Sequence, residues 1–279
     1  MSTQTVTAPA PASAPAAPVA PLRIGAARTT RHSLALAGRG ITKMRKNVTL
    51  LADAILTPVL FLLIFVYLYG GAIAHGDDDA YLRKLVPGIM VMTVFQASIG
   101  IGASLNADAA TGVFDRFRSM PIARSAPLIG AVLADVVRYV VCLTTVMALS
   151  LVMGYRITTN PIATLAAFGM LLAFAVCFSW ISVFIGMTAK TPGSVMGLMT
   201  ALIVPLTFAS NVAVPSGTMP GWLQAWSHVN PVSLLSDTMR GLLNGGAVAH
   251  PLLGTLCWMA GVVAVFFPLA MRSYRRTAG

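Results

Sequence analysis

The sequence predicts an all-α, polytopic membrane protein, and three observations carry that prediction. Hydrophobic residues make up 57% of the chain and charged residues only 10%, with no Glu at all, whereas a water-soluble domain carries about 25% charged residues. A bilayer core takes about 20 apolar helical residues per crossing. Largely apolar runs meet that requirement six times, at roughly 52–74, 85–107, 131–154, 161–187, 194–214 and 250–271, with Asp53, Asp135 and Arg138 as the charged residues within them. The nineteen Lys and Arg residues are also distributed unevenly between alternate connections.

With the amino terminus inside, the cytoplasmic side receives Arg23, Arg28, Arg31, Arg39, Lys43, Arg45, Lys46, Arg116, Arg118, Arg124, Arg138, Lys190, Arg272, Arg275 and Arg276. Only Arg83, Lys84, Arg156 and Arg240 are left outside. Positive charge concentrates on the cytoplasmic side of membrane proteins, so both termini are expected inside. The net charge of +11 is thereby accounted for by orientation, and nucleic acid is not needed as a partner.

Residues 1–22, rich in Ala, Pro, Ser and Thr and without charge, are expected to form a disordered tail ahead of a membrane domain at 23–279. A basic start followed directly by an apolar segment, the order of a signal peptide, is not found. From Arg23 to Lys46 there are seven basic residues and no acidic one. Leu34, Ala37, Ile41, Met44 and Val48 share one helical face, and Arg28, Arg39, Lys43 and Lys46 cluster opposite. That is the pattern of a helix lying in the headgroup layer. Leu36, Arg45, Gly38 and Gly40 break the pattern, and a basic segment that only sets orientation fits equally well.

Between the second and third runs, Val113, Phe114, Phe117 and Met120 fall on one side of a short helix. Asp115, Arg116, Arg118 and Ser119 fall on the other. Pro121 disfavours helical geometry at Met120 and ends the segment after about two turns. A solvated connector explains any single Arg here. Two phenylalanines on one face point instead to a segment that docks on a partner.

Asp77, Asp78 and Asp79 form an outer acidic turn without the alternating ligand spacing of a calcium loop. Asp135 and Arg138, three apart, are expected to pair at the cytoplasmic start of the third run. Pro215–Ala249 is too apolar for a loop in water and too broken for a span. Trp222 and Trp226 suit the interface, Asn230 and Pro231 read as N-cap and first residue of a short helix, and Gly245–Gly246 ends it. Asp237 and Arg240 then share a face of that helix. The expected shape is a helical hairpin dipping into the outer leaflet, against the alternative of a surface amphipathic segment. Polar residues inside the runs, namely Gln96, Ser98, Ser104, Asn106, Ser210 and Asn211, either line a pathway or bond neighbouring helices.

Catalytic chemistry is hard to place on this chain. His32, His75, His228 and His250 show no HExxH spacing, no GxSxG elbow occurs, and Cys142, Cys177 and Cys257 lie far apart in apolar runs as packing residues. Without a GxxxxGK[ST] loop there is no phosphate cradle for ATP, so no cofactor is expected and a pump must draw energy from another chain. Asp53, Asp108 and Asp135 are all expected near the inner edge, which disfavours a proton-coupled carrier.

GVFDRFRSMPIARS followed by LADVVR, and NPVSLLSDTMRGLLNGG before the last run, resemble the type-2 ATP-binding-cassette (ABC) exporter permeases in their daunorubicin-resistance branch, over about residues 25–275. The resemblance implies a transport subunit, not an enzyme, that pairs with a second permease copy or paralogue and sits on two copies of a separate ABC ATPase. It further implies that Val113–Met120 and the interfacial helix dock on that ATPase. The hairpin would lie at the outer mouth, and the cargo would be an apolar or amphipathic drug, polyketide, lipid or glycolipid. Ala109 and Ala110 stand where the family often has a Glu. The competing class is a secondary carrier or lipid-modifying membrane enzyme without an ATPase.

Overall fold

A computed structural model describes Gly38 and residues 48–69, 78–112, 126–212 and 216–277. The tail at 1–22, the basic helix with Arg28, Arg39, Lys43 and Lys46, and the docking segment Val113–Met120 lie outside the described residues. Every regular element among the described residues is helical. The order is α1 (Val48–Leu63, continued as a π-helical stretch Ile64–Tyr69), α2 (Asp78–Ala97), α3 (Ile99–Ala110), α4 (Ala126–Val152), α5 (Pro161–Thr188), α6 (Pro192–Phe208), α7 (Gly221–Val229), α8 (Pro231–Asn244) and α9 (Ala249–Thr277), with a 3-10 turn at Ser216–Thr218.

Four helical stretches among the described residues are long and apolar enough to cross a membrane: Asp79–Ala110, Pro127–Val152, Pro161–Thr188 and Ala249–Tyr274. Ile55–Leu68 and Pro192–Phe208 are apolar but shorter. Capping explains several of the boundaries. The Asn160 side chain accepts from Ala163 N at 2.7 Å with Pro161 in the first turn, and Thr191 does the same for Ser194 at 3.2 Å. Both arrangements satisfy amide groups that a helix start leaves orphaned.

Two expectations need correction. The fifth run, expected to continue to 214, stops being helical at Phe208. The Asn230 amide donates to the carbonyls of Leu206 at 2.8 Å and Ala209 at 3.0 Å, which closes the end of α6 from outside. The third helix, in contrast, starts at Ala126, five residues before the expected 131. Asp135 and Arg138 therefore lie about 9–12 residues inside α4, roughly 14–18 Å along its axis, and not at its edge.

α5 is the central helix. Phe174 and Phe178 pack on Phe95 of α2 with ring centroids 5.3 and 4.5 Å away. On α3, a Cβ at Gly102 would lie 2.2 Å from the Ser182 carbonyl oxygen, and one at Gly186 would lie 2.4 Å from the Gly102 carbonyl oxygen. The two backbones thus touch, which only glycine at both positions permits. Gly102 N donates to Ser182 Oγ at 3.0 Å, and the Asn106 amide donates to the carbonyls of Gly186 at 2.9 Å and Ala189 at 2.7 Å. Small residues and side-chain bonds of this kind hold helices together where hydrophobicity alone does not.

α8 is a buried helix: Pro231 to Ser236, Thr238, Met239 and Leu243 are all buried. It packs on α2, α5 and α9. α7 instead exposes Trp222 and Trp226. Ile162, Leu165, Met196, Leu198, Leu253 and Val265 are likewise exposed; apolar surface of this extent belongs against lipid or a partner.

Candidate functional site

The helical rod formed by α2 and α3 is interrupted at Ser98. Ser98 N donates to both Val94 O and Phe95 O, and its hydroxyl donates to Val94 O at 2.8 Å. Arg138 of α4 reaches this interruption, where its Nη2 donates to the carbonyl of Ala97 and to Asp135 Oδ2. Tyr139, fully buried, places its hydroxyl 2.8 Å from Ser179 Oγ and 3.1 Å from Ser98 Oγ. A charge in an apolar interior is costly unless paired and hydrogen-bonded. Here the carboxylate and the carbonyl at the helix interruption meet that requirement. Asp135 and Arg138 pair as the sequence predicts, but deep in the helix.

A cavity of about 230 Å³ opens beside this network, between α1, α2, the start of α3, α4 and the start of α6. Phe61, Ile89, Met92 and Met196 supply apolar wall, with Thr57, Thr93, Gln96 and Arg138 as its polar groups. No spacing in the sequence points to it, because its lining is drawn from five separate helices.

A second polar cluster ties α8 to its surroundings. Asp237 Oδ1 and Arg240 Nη1 are 2.8 Å apart. Arg240 also donates to Lys84 O at 3.1 Å, Asn211 O at 2.9 Å and Val212 O at 3.2 Å. The Asn211 amide bonds both carboxylate oxygens of Asp237, at 3.0 and 2.9 Å. The guanidinium thus joins α8, the turn after α6 and the first turns of α2. Asn230 is the other anchor, with Oδ1 accepting from Val232 N at 2.9 Å while its amide closes α6. Pro231 follows as the first helical residue, and Gly245 ends the helix with φ +84°, a conformation that favours glycine. The structure has Asn230 as the N-cap, Pro231 as the first helical residue and Asp237 paired with Arg240, as their spacing predicts. The sequence does not reveal Asn211 as the partner of Asp237.

The far end of α8 is fastened as well. Tyr155 Oη donates to Asn244 Oδ1 at 2.8 Å, Thr158 and Thr159 bond the carbonyls of Asn244 and Leu242, and the Asn244 amide donates to Arg83 O at 2.6 Å. Burial pushes the Tyr155 hydroxyl up to about 12, with nearby Arg83 opposing the shift, so it remains a proton donor. Of the remaining polar residues in the apolar runs, Asn106 and Ser98 bond across helices and Ser210 bonds locally to Thr207 O. Ser104 is exposed. Cys142 is buried, Cys177 half-buried and Cys257 exposed, so the third lies on an outer face. Among the described residues no group of His, Cys, Asp or Glu could hold a metal ion.

These features define an integral, multi-pass helical membrane protein whose buried polar groups join helices around a cavity. The chain belongs to the ABC-2 type transporter family, whose model matches residues 32–244. It is 42% identical over 225 residues to the daunorubicin resistance ABC transporter permease protein DrrB1 of Streptomyces coeruleorubidus, covering 81% of this chain and 79% of the relative. It is 27% identical over 252 residues, 88% of this chain and 89% of the relative, to the probable doxorubicin resistance ABC transporter permease protein DrrC of Mycobacterium tuberculosis. An inner membrane transport permease of Escherichia coli, YadH, is 25% identical over 240 residues, 85% and 91% of the two chains. The chain is accordingly a permease subunit of an ABC exporter, in the drug-resistance branch.

Proposed function

We propose that this permease moves an apolar or amphipathic compound out of the cytoplasm, energised by two copies of a separate ABC ATPase. It works as a pair with a second copy or a paralogue in the cytoplasmic membrane, with six spans per chain, both termini inside, and no cofactor of its own. Residues 52–69 and α6 complete the six, and α7 and α8 form the hairpin at the outer mouth.

One observation carries the mechanism. The rod from Asp78 to Ala110 runs from Lys84, bonded to Arg240 of the outer cluster, past the interruption at Ser98 to within three residues of Val113. When ATP draws the two ATPases together, Val113–Met120 moves with them and pulls α3. The interruption at Ser98, held by Arg138, lets α3 change its angle against α2. The outer cluster then releases or re-forms, so nucleotide biases a two-state element.

The test is ATP-driven uptake of daunorubicin into inverted vesicles containing permease and ATPase, with Asp237→Ala and Arg240→Ala beside wild type. Both variants are expected to insert and retain the ATPase while transport falls severalfold. Uptake driven by a proton gradient without ATP, for which Asp135 deep in α4 would be the natural carrier group, would overturn the exporter reading. Normal export by both variants would remove the outer cluster from the mechanism.

A further inference from the structure

The carboxyl end of α5 is closed by other helices more than by its own chain. A helix end leaves its last carbonyls without amide partners. Here Ile185 O accepts from Ala189 N at 2.8 Å, and Met187 O accepts from Ser273 Oγ of α9 at 3.2 Å. Gly186 O and Ala189 O both accept from the Asn106 amide of α3, at 2.9 and 2.7 Å. Asn106 is buried, and its Oδ1 has no partner among the described residues. A buried acceptor left unmatched is unfavourable, so what this side chain contributes is its pair of donors.

One point of contact would leave α3 and α5 free to turn about each other, and there are two. The crossing at Gly102, whose N donates to Ser182 Oγ at 3.0 Å, lies four residues before Asn106, about 6 Å along α3. Attachment at both points fixes the angle between α3 and the end of α5. The chain beyond α5 has no slack either. Ala189 caps α5, and α6 begins at Pro192 with the Thr191 side chain accepting from Ser194 N. Three connecting residues span at most about 11 Å. α6 also packs along α3, but apolar surfaces can slide past one another where a pair of hydrogen bonds holds position.

We propose that Asn106 is a positioning residue for export, through which movement of α3 is passed to the end of α5 and on to α6. The proposal rests on the exporter reading above, in which α3 is moved from its ATPase-facing end, and adds α6 as a second moving helix. Without the two bonds α3 is held to α5 only at Gly102 and swings without carrying α6.

The permease–ATPase complex in lipid vesicles tests this with nitroxide pairs on cysteines replacing exposed residues. One pair joins Ala107 of α3 to Leu253 of α9, the other Leu198 of α6 to Leu253. The parent chain carries Cys142→Ala, Cys177→Ala and Cys257→Ala, and labelled chains are diluted with unlabelled ones. ATP with vanadate is expected to change both distances. In Asn106→Leu, similar in size but without donors, the α3 distance should still change and the α6 distance should not. Daunorubicin taken up into inverted vesicles per ATP hydrolysed should then fall about threefold or more, within the range for residues that carry coupling. Insertion and ATP hydrolysis should persist. Asn106→Gln keeps both donors and should recover most of each readout.

An α6 distance indifferent to nucleotide in the parent chain would overturn the proposal, whether or not any variant folds. So would α6 movement persisting in Asn106→Leu, which would show that packing alone carries it, or loss of both movements together. An unchanged ratio of uptake to hydrolysis, as expected of a residue that only holds the fold together, would do the same. No ATP-driven uptake by the parent complex would count against the exporter reading, and the two distances would then decide on Asn106 by themselves.

Discussion

Replacing Asn230 by Ala is expected to damage the outer half of the molecule more than any single surface change. The side chain is fully buried and serves two helices, with its oxygen capping α8 at Val232 and its amide closing α6 at Leu206 and Ala209. Losing an Asn N-cap costs about 1 kcal/mol, and each buried carbonyl left without its donor costs about 1–3 kcal/mol. Taking the lower end for the two carbonyls, which share one amide, the total is roughly 3 kcal/mol, with about 7 as an upper figure. At 2–4 °C per kcal/mol for a chain of this size class, melting should fall by about 6–12 °C. Asn230→Asp separates the two roles, since it keeps the capping oxygen but turns a carboxylate towards two carbonyls. It should be at least as harmful as Asn230→Ala. The assay is thermal unfolding of detergent-purified protein followed by size-exclusion chromatography of the surviving fraction. If Asn230→Asp melted like wild type while Asn230→Ala did not, the bridge to α6 would contribute nothing and the double role would be wrong.

Three further outcomes are expected. Cysteines placed at Asp78 and Gly246 should react with an impermeant reagent from outside and one at Ser119 should not; outside labelling at Ser119 would invert the topology. In the docking segment, burying a Phe ring is worth roughly 1.5–3 kcal/mol and an exposed charge pair about 0–1 kcal/mol. Phe117→Ala, or Phe114→Ala, should therefore uncouple ATP hydrolysis from export more than Asp115→Ala, Arg116→Ala or Arg118→Ala does, and a double Phe variant exporting at the wild-type rate would make the segment a plain connector. Gly102→Leu should separate α3 from α5, since a Cβ there already meets the Ser182 carbonyl; little assembled protein should survive solubilisation, and wild-type yield and melting would refute the close crossing.

Membrane residence and helical class were legible in the sequence because both depend on local quantities: the length of apolar runs, the cost of exposing amides to lipid, and the bias of basic residues. The start and end of α8 were legible for the same reason. An N-cap followed by Pro and a terminal glycine act within a few residues of one another, and Asp237 and Arg240 meet because three residues make almost one helical turn. The pairing of Asp135 with Arg138 followed from that spacing too, but its depth did not, since hydropathy alone cannot tell where a helix starts when the preceding residues are also apolar. Only the tertiary structure decided that α6 ends at Phe208, because the groups that close it come from Asn230, beyond α7. It alone decided that Asn211 meets Asp237, that Gly102 and Gly186 bring two backbones together, and that Arg138 closes the interruption at Ser98 while facing a cavity. Each of these joins residues tens of positions apart, and such contacts arise from how helices pack, which no local pattern records.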